Sequence, residues 1–515
     1  MTKRFTITTP IYYVNGAPHI GHAYTSIAAD VMARWKRLDG YEVFFLTGTD
    51  EHGQKVEQAA LAAGVPPQDF TDRVSADFRA MAGAMNISYD DFIRTTEPRH
   101  TEACTALWRR LQEAGQIYLG AYEGWYATRD ESFYGEDELV LRPDGVRVAP
   151  TGAPVEWVTE PSYFFKLSEW QDRLLAFYEA HPEFIGPPGR RNEVMSFVRQ
   201  GLKDLSISRT SFRWGVPVPG DPAHVMYVWW DALVNYITAL GYPDETAPLW
   251  RFWPADLHLV GKEIVRFHAV FWPAFLMAAD LPLPRRVYSH GWWTIDGEKM
   301  SKSVGNVVDP RDLVAEFGID PVRFFLLREV PFGGDGDFSR RALISRLNVE
   351  LANDLGNLAQ RTLSQLARNT EGRLPPRDPA TEEDAALLAQ AHALPATLRE
   401  MIDRQALHEA LEEIWKLVRA SNGYIDRQAP WALKKTDLAR MGTVLAVLVD
   451  VLRHLGILLQ AFMPDSMGRL LDQLGVPPDH RLIADLDTPL PEGTILPPPA
   501  GIFPRHVEPA PAADG

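Results

Sequence analysis

Two histidines and two lysines are the residues here whose types and spacing could do chemistry. His19 and His22 lie in Pro18-His19-Ile20-Gly21-His22. Three residues apart, they share one face at the first turn of a helix. A helix N-terminus attracts anions, and Gly21 leaves room for a ligand to approach. Two imidazoles placed there can donate hydrogen bonds to a phosphate as charge builds in a transition state. Far along the chain, Lys299 and Lys302 belong to Lys299-Met300-Ser301-Lys302-Ser303, directly after the turn Asp296-Gly297-Glu298. Two lysines and two small hydroxyls on a loop can clamp a leaving polyphosphate. Either stretch alone also reads as exposed polar surface. Together they point to a split site for a nucleotide triphosphate.

The elements that must position these groups follow from the pattern around them. Phe5 to Thr9 alternates apolar and polar residues, as a strand does. Asn15-Gly16-Ala17-Pro18 is a turn that opens a helix. Ile20, Ala23, Tyr24, Ile27, Val31 and Trp35 continue that helix to Arg37, and Asp39-Gly40 ends it. Glu42 to Thr47 reads as a buried strand. Strand, helix, strand implies a parallel sheet, whose ligands bind beyond the carboxyl ends of the strands. Tyr12, Tyr13, His19, His22 and Asp50 fall at that edge. Helical patterns cover 54–64, 67–85 and 98–115. Short strand-like runs with Gly and Pro turns, from Ile117 to about Gly215, read as an insertion. Strand and helix patterns return from Val225, with Asp256 to Val260 and Val287 to Gly291 as further strands. After Ser303 the chain turns helical, with patterns over 339–368, 383–402, 404–426, 437–462 and 464–474: a helix bundle. The last 20 residues are rich in Pro and Ala and read as extended or partly disordered.

The chain has 515 residues, a net charge of −16 and one cysteine, Cys104. This length suits two to four domains. A lone cysteine excludes an internal disulfide and any multi-cysteine zinc site. No apolar run reads as long enough to cross a membrane and no signal-like segment opens the chain, so a cytoplasmic protein without membrane association is expected. The acidic balance does not mark a nucleic-acid binder, although Arg190-Arg191, Arg340-Arg341 and Lys434-Lys435 could form local basic faces.

The histidine and lysine stretches resemble the two signatures of class I aminoacyl-tRNA synthetases, which activate an amino acid with ATP and pass it to the tRNA 3′ end. The similarity is closer still to the methionyl-tRNA synthetase family and spans almost the whole chain. It runs through Thr9-Pro10-Ile11-Tyr12-Tyr13-Val14-Asn15-Gly16 and Gly48-Thr49-Asp50-Glu51-His52-Gly53. It continues through Tyr227-Val228-Trp229-Trp230-Asp231-Ala232, Gly261-Lys262-Glu263-Ile264-Val265-Arg266-Phe267-His268 and His290-Gly291-Trp292-Trp293.

The resemblance implies an α/β fold: a Rossmann-like parallel-sheet catalytic domain with an inserted connective domain, followed by an all-α anticodon-binding bundle. Its implied boundaries are 1–116 and 216–290 for the sheet, 117–215 for the insertion, and 291–338 for a stem-contact region with the lysine loop. The bundle takes 339–490 and a Pro-rich tail 491–515.

Roles are implied in the same way. His19, His22, Lys299 and Lys302 would be catalytic, and His19, Gly21, His22, Glu263 and Lys302 would hold ATP. Asp50 would bind the substrate ammonium. Ile11, Tyr13, Trp229, Ala232, Tyr236, Ile264 and His268 would line a methionine pocket, since a thioether suits a soft, aromatic, mostly apolar cavity. Asn357, Arg361 and Trp431 would read the anticodon, by base-edge hydrogen bonds and stacking. The expected partners are L-methionine, ATP carried with Mg²⁺, and tRNA(Met), the methionine carboxylate attacking the α-phosphate in line without a protein nucleophile.

The sequence departs from the family in the insertion. Many members carry a zinc knuckle of cysteines there. Here the stretch is Tyr126-Ala127-Thr128-Arg129-Asp130-Glu131, with Val148-Ala149-Pro150-Thr151-Gly152 as its second half. A knuckle held by packing, with no metal, is expected. The chain also stops short of the C-terminal dimerising domain of some relatives, so a monomer is expected. A synthetase for another amino acid, a tRNA-binding protein without catalysis and a simple nucleotidyltransferase are the alternatives. Methionine-dependent exchange of pyrophosphate into ATP separates them.

Overall fold

The computed structural model describes residues 3–130, 132–295, 297–299, 307–377 and 381–507. Lys302 and its neighbours from Met300 to Asn306 lie outside the described residues. The chain opens with β1 (Arg4–Thr8), β2 (Tyr12–Tyr13), α1 (Ile20–Leu38) and β3 (Glu42–Asp50). Next come β4 (Asp91–Arg94) and α2 (Pro98–Glu113). The insertion opens with β5 (Ile117–Ala127) and β6 (Glu156–Phe165), after which β7 (Ile185–Gly186) returns to the main sheet. Then follow α3 (Val228–Thr238), β8 (Leu257–Gly261) and β9 (Val287–His290).

The main sheet has seven strands, six in the order β7-β9-β8-β1-β3-β2 and β4 paired to β3 off that path, and every pairing in it is parallel. β1 pairs Thr8 with Leu46 of β3, and β4 pairs Asp91 with the same Leu46 from the other edge. β2 extends the line of β1 after a break at Thr9–Ile11, pairing Tyr13 with Asp50. That break turns Pro10, Ile11 and Tyr13 out at the carboxyl edge, where a parallel sheet binds ligands. β7 lies inside 117–215, the range expected for the insertion, yet it is an edge strand of the main sheet. With two residues it has no readable periodicity.

In the insertion β5 and β6 form a long antiparallel ribbon, from Ile117 opposite Phe165 to Tyr126 opposite Glu156. At its tip Ala127, Ala149 and Ala153 pack together with Tyr134 and Val155. Asp130 accepts hydrogen bonds there from the hydroxyls of Tyr134 and Thr151, and Ala149 N–H donates to Ala153 O at 2.8 Å. Small side chains and local hydrogen bonds occupy the positions where many family members place metal ligands. Residues 225–230, read as strand leading into helix, split at Tyr227. Asp221–Met226 pairs antiparallel with Ser208–Arg209 and Pro217–Val218, outside the main sheet, and α3 starts at Val228.

Five helices carry most of the C-terminal part: α4 (Asn357–Asn369), α5 (Glu382–Asp403), α6 (Leu407–Gln428), α7 (Leu438–Leu459) and α8 (Pro464–Gln473). One expectation needs correcting: α7 is long and apolar enough to cross a membrane. Its residues from Met441 to Leu459 are all buried, so it is the central helix of the bundle. Its buried charges are satisfied within the fold, Arg453 pairing with Asp450 at 2.8 Å and donating to the carbonyls of Asp485 and Leu486. The extended tail is anchored, with Leu496, Ile502 and Phe503 buried.

α1 joins sheet to bundle. Asp30, fully buried, pairs with the fully buried Arg323 at 2.7 Å, and Arg323 also donates to the carbonyls of Ala461, Phe462 and Met85. Near its other end Lys36 pairs with Asp403 at 2.6 Å. Breaking a buried pair of this kind costs about 3–5 kcal/mol, because one charge is left uncompensated. The helix that begins with the histidine motif is therefore held along its length.

Candidate active site

His19 is the N-cap of α1, not part of its first turn. Its Nδ1 accepts from Gly21 N–H at 3.1 Å, while His19 N–H donates to His22 Nδ1 at 3.1 Å. This reciprocal cap satisfies two amides at the helix start. It also fixes both rings: with Nδ1 accepting, a neutral imidazole carries its proton on Nε2, the form that donates to an anion. The ring centroids are 3.8 Å apart. A Cβ on Gly21 would come within 2.9 Å of the His19 ring, so glycine is what allows the ring to fold back. Behind them Tyr12 packs edge-on against His22 at 4.9 Å and bonds the Ser26 hydroxyl at 2.7 Å. Burial pushes the Tyr12 phenol up to about 12, so it stays a neutral hydrogen-bonding group.

All eight residues expected around methionine line one cavity of about 220 Å³. Ile11, Tyr13, Asp50, Trp229, Ala232, Tyr236, Ile264 and His268 share it with Pro10, Lys55, Asp130 and Leu233. Asp50 is buried at the end of β3. α3 presents Trp229, Ala232, Leu233 and Tyr236 from one face, and Trp229 stacks on Phe267 at 3.5 Å. A π-helical turn over Phe267–Phe271 carries His268, a deviation frequent at functional sites. His268 Nδ1–H donates to Ile264 O at 2.9 Å, so its Nε2 accepts from the Tyr236 hydroxyl at 2.6 Å. Burial pushes His268 down to about 4, and the imidazole is neutral. Burial also raises the Tyr236 phenol well above its ordinary range. Two polar side chains thus present a neutral, soft surface to the cavity.

A second cavity of about 360 Å³ shares Pro10, Ile11, Tyr13 and Ile264 with the first. It is lined by His19, Gly21, His22 and Glu263, four of the five residues expected to hold ATP, together with Thr25, Gly261, His290 and Trp292. A Cβ on Gly261 would meet the Glu263 carboxylate at 2.6 Å, so that carboxylate folds over a glycine. Trp292, missed in the sequence, donates its indole N–H to Glu263 at 2.6 Å. Lys262 in turn pairs with Asp335 at 2.6 Å and lies 4.2 Å from the Trp292 ring. His290 bonds the Thr25 hydroxyl at 2.7 Å and so joins β9 to α1. Of the lysine loop, the backbone of Lys299 is described, in register with Thr294, and Lys302 is outside the described residues.

The knuckle reaches the first cavity through Asp130, whose position only the fold reveals. Among the described residues, His100, Cys104 and Asp231 come close enough to suggest a metal ion. Their 2.6 Å contact between His100 Nε2 and Asp231 Oδ1 is a hydrogen-bond distance and shorter than two ligands on one ion allow. In the bundle, Arg361 on α4 lies 5.1 Å from the ring of Trp431 and pairs with Asp426. Trp431 is 38% exposed. Asn357, also exposed, lies one turn before Arg361 on the same helix face. The three expected base-reading residues thus share one outer face.

Comparison with known proteins finds matches over both halves of the chain. The family model for class I tRNA synthetases (M) matches residues 5–363, and that for the anticodon-binding domain of methionyl tRNA ligase matches residues 374–508. The methionine–tRNA ligase of Brucella suis biovar 1 is 58% identical over 507 residues, 98% of each chain. That of Rickettsia bellii is 54% identical, covering 99% of this chain and all of the relative. The Mycobacterium tuberculosis methionyl-tRNA synthetase, solved in complex with methionyl-adenylate, superposes with a TM-score of 0.96 at 55% identity. That match covers 98% of this chain and 100% of the other. The chain belongs to the methionyl-tRNA synthetase family of class I aminoacyl-tRNA synthetases.

Proposed function

We infer that this chain activates L-methionine with ATP to methionyl-adenylate and transfers it to tRNA(Met). The observation that carries the reading is the shared wall of two cavities, one soft and amino-acid sized, the other opening on a histidine-capped helix N-terminus. Asp50 holds the methionine ammonium, and the aromatic cavity with neutral His268 takes the thioether. The carboxylate then lies toward the wall of Ile11, Tyr13 and Ile264, facing the α-phosphate. The carboxylate is already ionised, so the attack needs no base, and catalysis rests on orientation and on stabilising the charge that develops. His19 and His22 donate from Nε2 to the phosphate, Glu263 accepts from the ribose hydroxyls, and Lys302 with Lys299 neutralises the departing pyrophosphate. Glu263 is the one carboxylate among the described residues of that cavity, so Mg²⁺ arrives on the ATP phosphates.

Asn357, Arg361 and Trp431 read the anticodon, the Arg361–Asp426 pair holding the guanidinium beside the indole. The knuckle stays folded without metal, through its alanine packing and the Asp130 hydrogen bonds. The enzyme works as a monomer in the cytoplasm, both cavities being built by one chain. Methionine-dependent exchange of pyrophosphate into ATP tests the central claim: methionine should support it, and leucine, isoleucine and cysteine should not. Exchange indifferent to methionine overturns it. Sedimentation at twice the chain mass would contradict the monomer.

A further inference from the structure

Behind the methionine cavity lies a buried polar network without an assigned role. Asp231, fully buried, sits on α3 between the cavity-lining Trp229 and Ala232 and faces away from the cavity toward α2. Its Oδ2 accepts from His52 Nδ1–H at 2.5 Å, and its Oδ1 from His100 Nε2–H at 2.6 Å. His100, also fully buried, is held in turn by the Thr238 hydroxyl at 3.1 Å. Burial works against the Asp231 charge, but the two imidazoles more than offset it and hold its pKa well below the usual carboxylate range. Cys104 lies 3.3 Å from His100, its thiol kept protonated by burial and by the same carboxylate. His52 packs edge-on against Trp214, whose indole donates to Glu51 O.

These contacts join three separate pieces of chain. His52 follows Asp50 by two residues, just past the end of β3, and His100 comes from the first turn of α2. Asp231 belongs to the helix that also carries Trp229, Ala232 and Tyr236. The strand end that meets the ammonium and the helix that meets the thioether are thus fastened to each other through one carboxylate. The methionine backbone and side chain need those two surfaces at one fixed separation. An apolar contact could slide, whereas two short charge-assisted hydrogen bonds at fixed angles resist it.

We propose that Asp231 is a positioning residue for methionine, setting the distance between the ammonium site at Asp50 and the thioether pocket on α3 through His52 and His100. The proposal rests on reading the cavity as the methionine site. Failure of that reading shows in the unaltered chain, as exchange that ignores methionine; failure of the proposal shows only in variants.

Two fragments of the substrate separate positioning from packing. Methioninol keeps the ammonium and the thioether, whereas 4-(methylthio)butanoate lacks the ammonium. In Asp231→Asn, kcat/KM for methionine should fall by roughly 100-fold, the scale of a ~1 Å misplacement, with KM for ATP unchanged. Methioninol should lose most of its affinity while 4-(methylthio)butanoate keeps its own, because only the first spans both surfaces. Equal losses for the two fragments, or a parallel rise in KM for ATP, would overturn the proposal. Should Asp231→Asn fail to fold, His52→Ala removes one arm and leaves the carboxylate paired to His100. It should give the same split between fragments, and His52→Asn, which keeps a donor near the Nδ1 position, should restore much of it. Failure of His52→Asn to improve on His52→Ala would also count against the proposal.

Discussion

In the methionine cavity the polar side chains are closed on one another, whereas in the nucleotide cavity the two histidines are held by backbone at a helix start. Tyr236, His268 and Ile264 O form a chain in which the imidazole is spoken for on both nitrogens. His19 and His22 are oriented by the cap through Nδ1, which places the proton of each neutral ring on Nε2. The first arrangement suits recognition of an uncharged thioether in the ground state. The second suits charge that appears only as pyrophosphate leaves. The prediction is a clean kinetic division between the two regions.

The largest effect should come from the nucleotide side. His22→Ala and Lys302→Ala should each slow methionine activation by roughly 100- to 1,000-fold, the usual cost of removing one donor to a developing charge. Pre-steady-state adenylate formation measures the rate, and equilibrium binding of methionine should change little. Equal losses in rate and binding would assign His22 to packing and erase the division.

The opposite signature is expected from Tyr236→Phe. Leaving His268 Nε2 buried without its donor costs about 1–3 kcal/mol, which should appear as a KM for methionine raised ~10-fold with kcat and the KM for ATP nearly unchanged. His268 also carries a pH signature. Burial holds it near 4 in the folded chain against an ordinary 6.5, so the unfolded chain binds this proton more readily. Stability is therefore unaffected above pH 6.5 and falls as pH drops from 6.5 toward 4, by up to ~1.4 kcal/mol per pH unit. Denaturant unfolding of His268→Gln across that window should show a slope smaller by about one proton. An unchanged slope would mean that the imidazole is charged in the folded protein.

The same contrast explains what could be read from the sequence. Much of the cavity linings was legible because residues such as Tyr13, His19, Asp50, Trp229 and Glu263 stand in short motifs at a strand end or a helix start, where local pattern predicts orientation. The bundle was legible because its helices keep a 3.6-residue apolar period over long stretches. What closes on what was not. His52 and Asp231 are 179 positions apart and His100 and Asp231 are 131 apart, and no periodicity signals such pairs. Trp292 stood in the His290-Gly291-Trp292-Trp293 stretch without a role until the fold set its indole N–H on Glu263. α7 escaped notice as a possible membrane span because Asp450 and Arg453 interrupt its apolar run, although the fold satisfies both. β7 was absorbed into the insertion because two residues carry no pattern.

A smaller effect is expected from the base-reading face, which tests whether the two cavities are independent of it. A base stacked on an aromatic side chain is worth about 1–3 kcal/mol. Trp431→Ala should therefore lower kcat/KM for aminoacylation of tRNA(Met) by about 5- to 150-fold by the same energy scale and leave methionine-dependent exchange intact. Loss of exchange as well would mean that the indole supports the bundle, even though it is 38% exposed.

The smallest effect, a null one, belongs to the knuckle, and it sharpens the comparison because Asp130 joins the knuckle to the methionine cavity. In a metal-bound knuckle, removing the ion would release the loop and loosen the cavity wall. Here Ala127, Ala149 and Ala153 fill the centre, and Asp130 is held by the Tyr134 and Thr151 hydroxyls. A chelator should therefore leave both the melting temperature and the KM for methionine unchanged, and elemental analysis should find no stoichiometric zinc. Thr151→Ala, which removes one of the two hydroxyls, should raise the KM for methionine only slightly, since the Tyr134 bond remains. One zinc per chain, or a chelator-induced rise in that KM, would show that a metal holds this wall of the cavity and that packing alone does not.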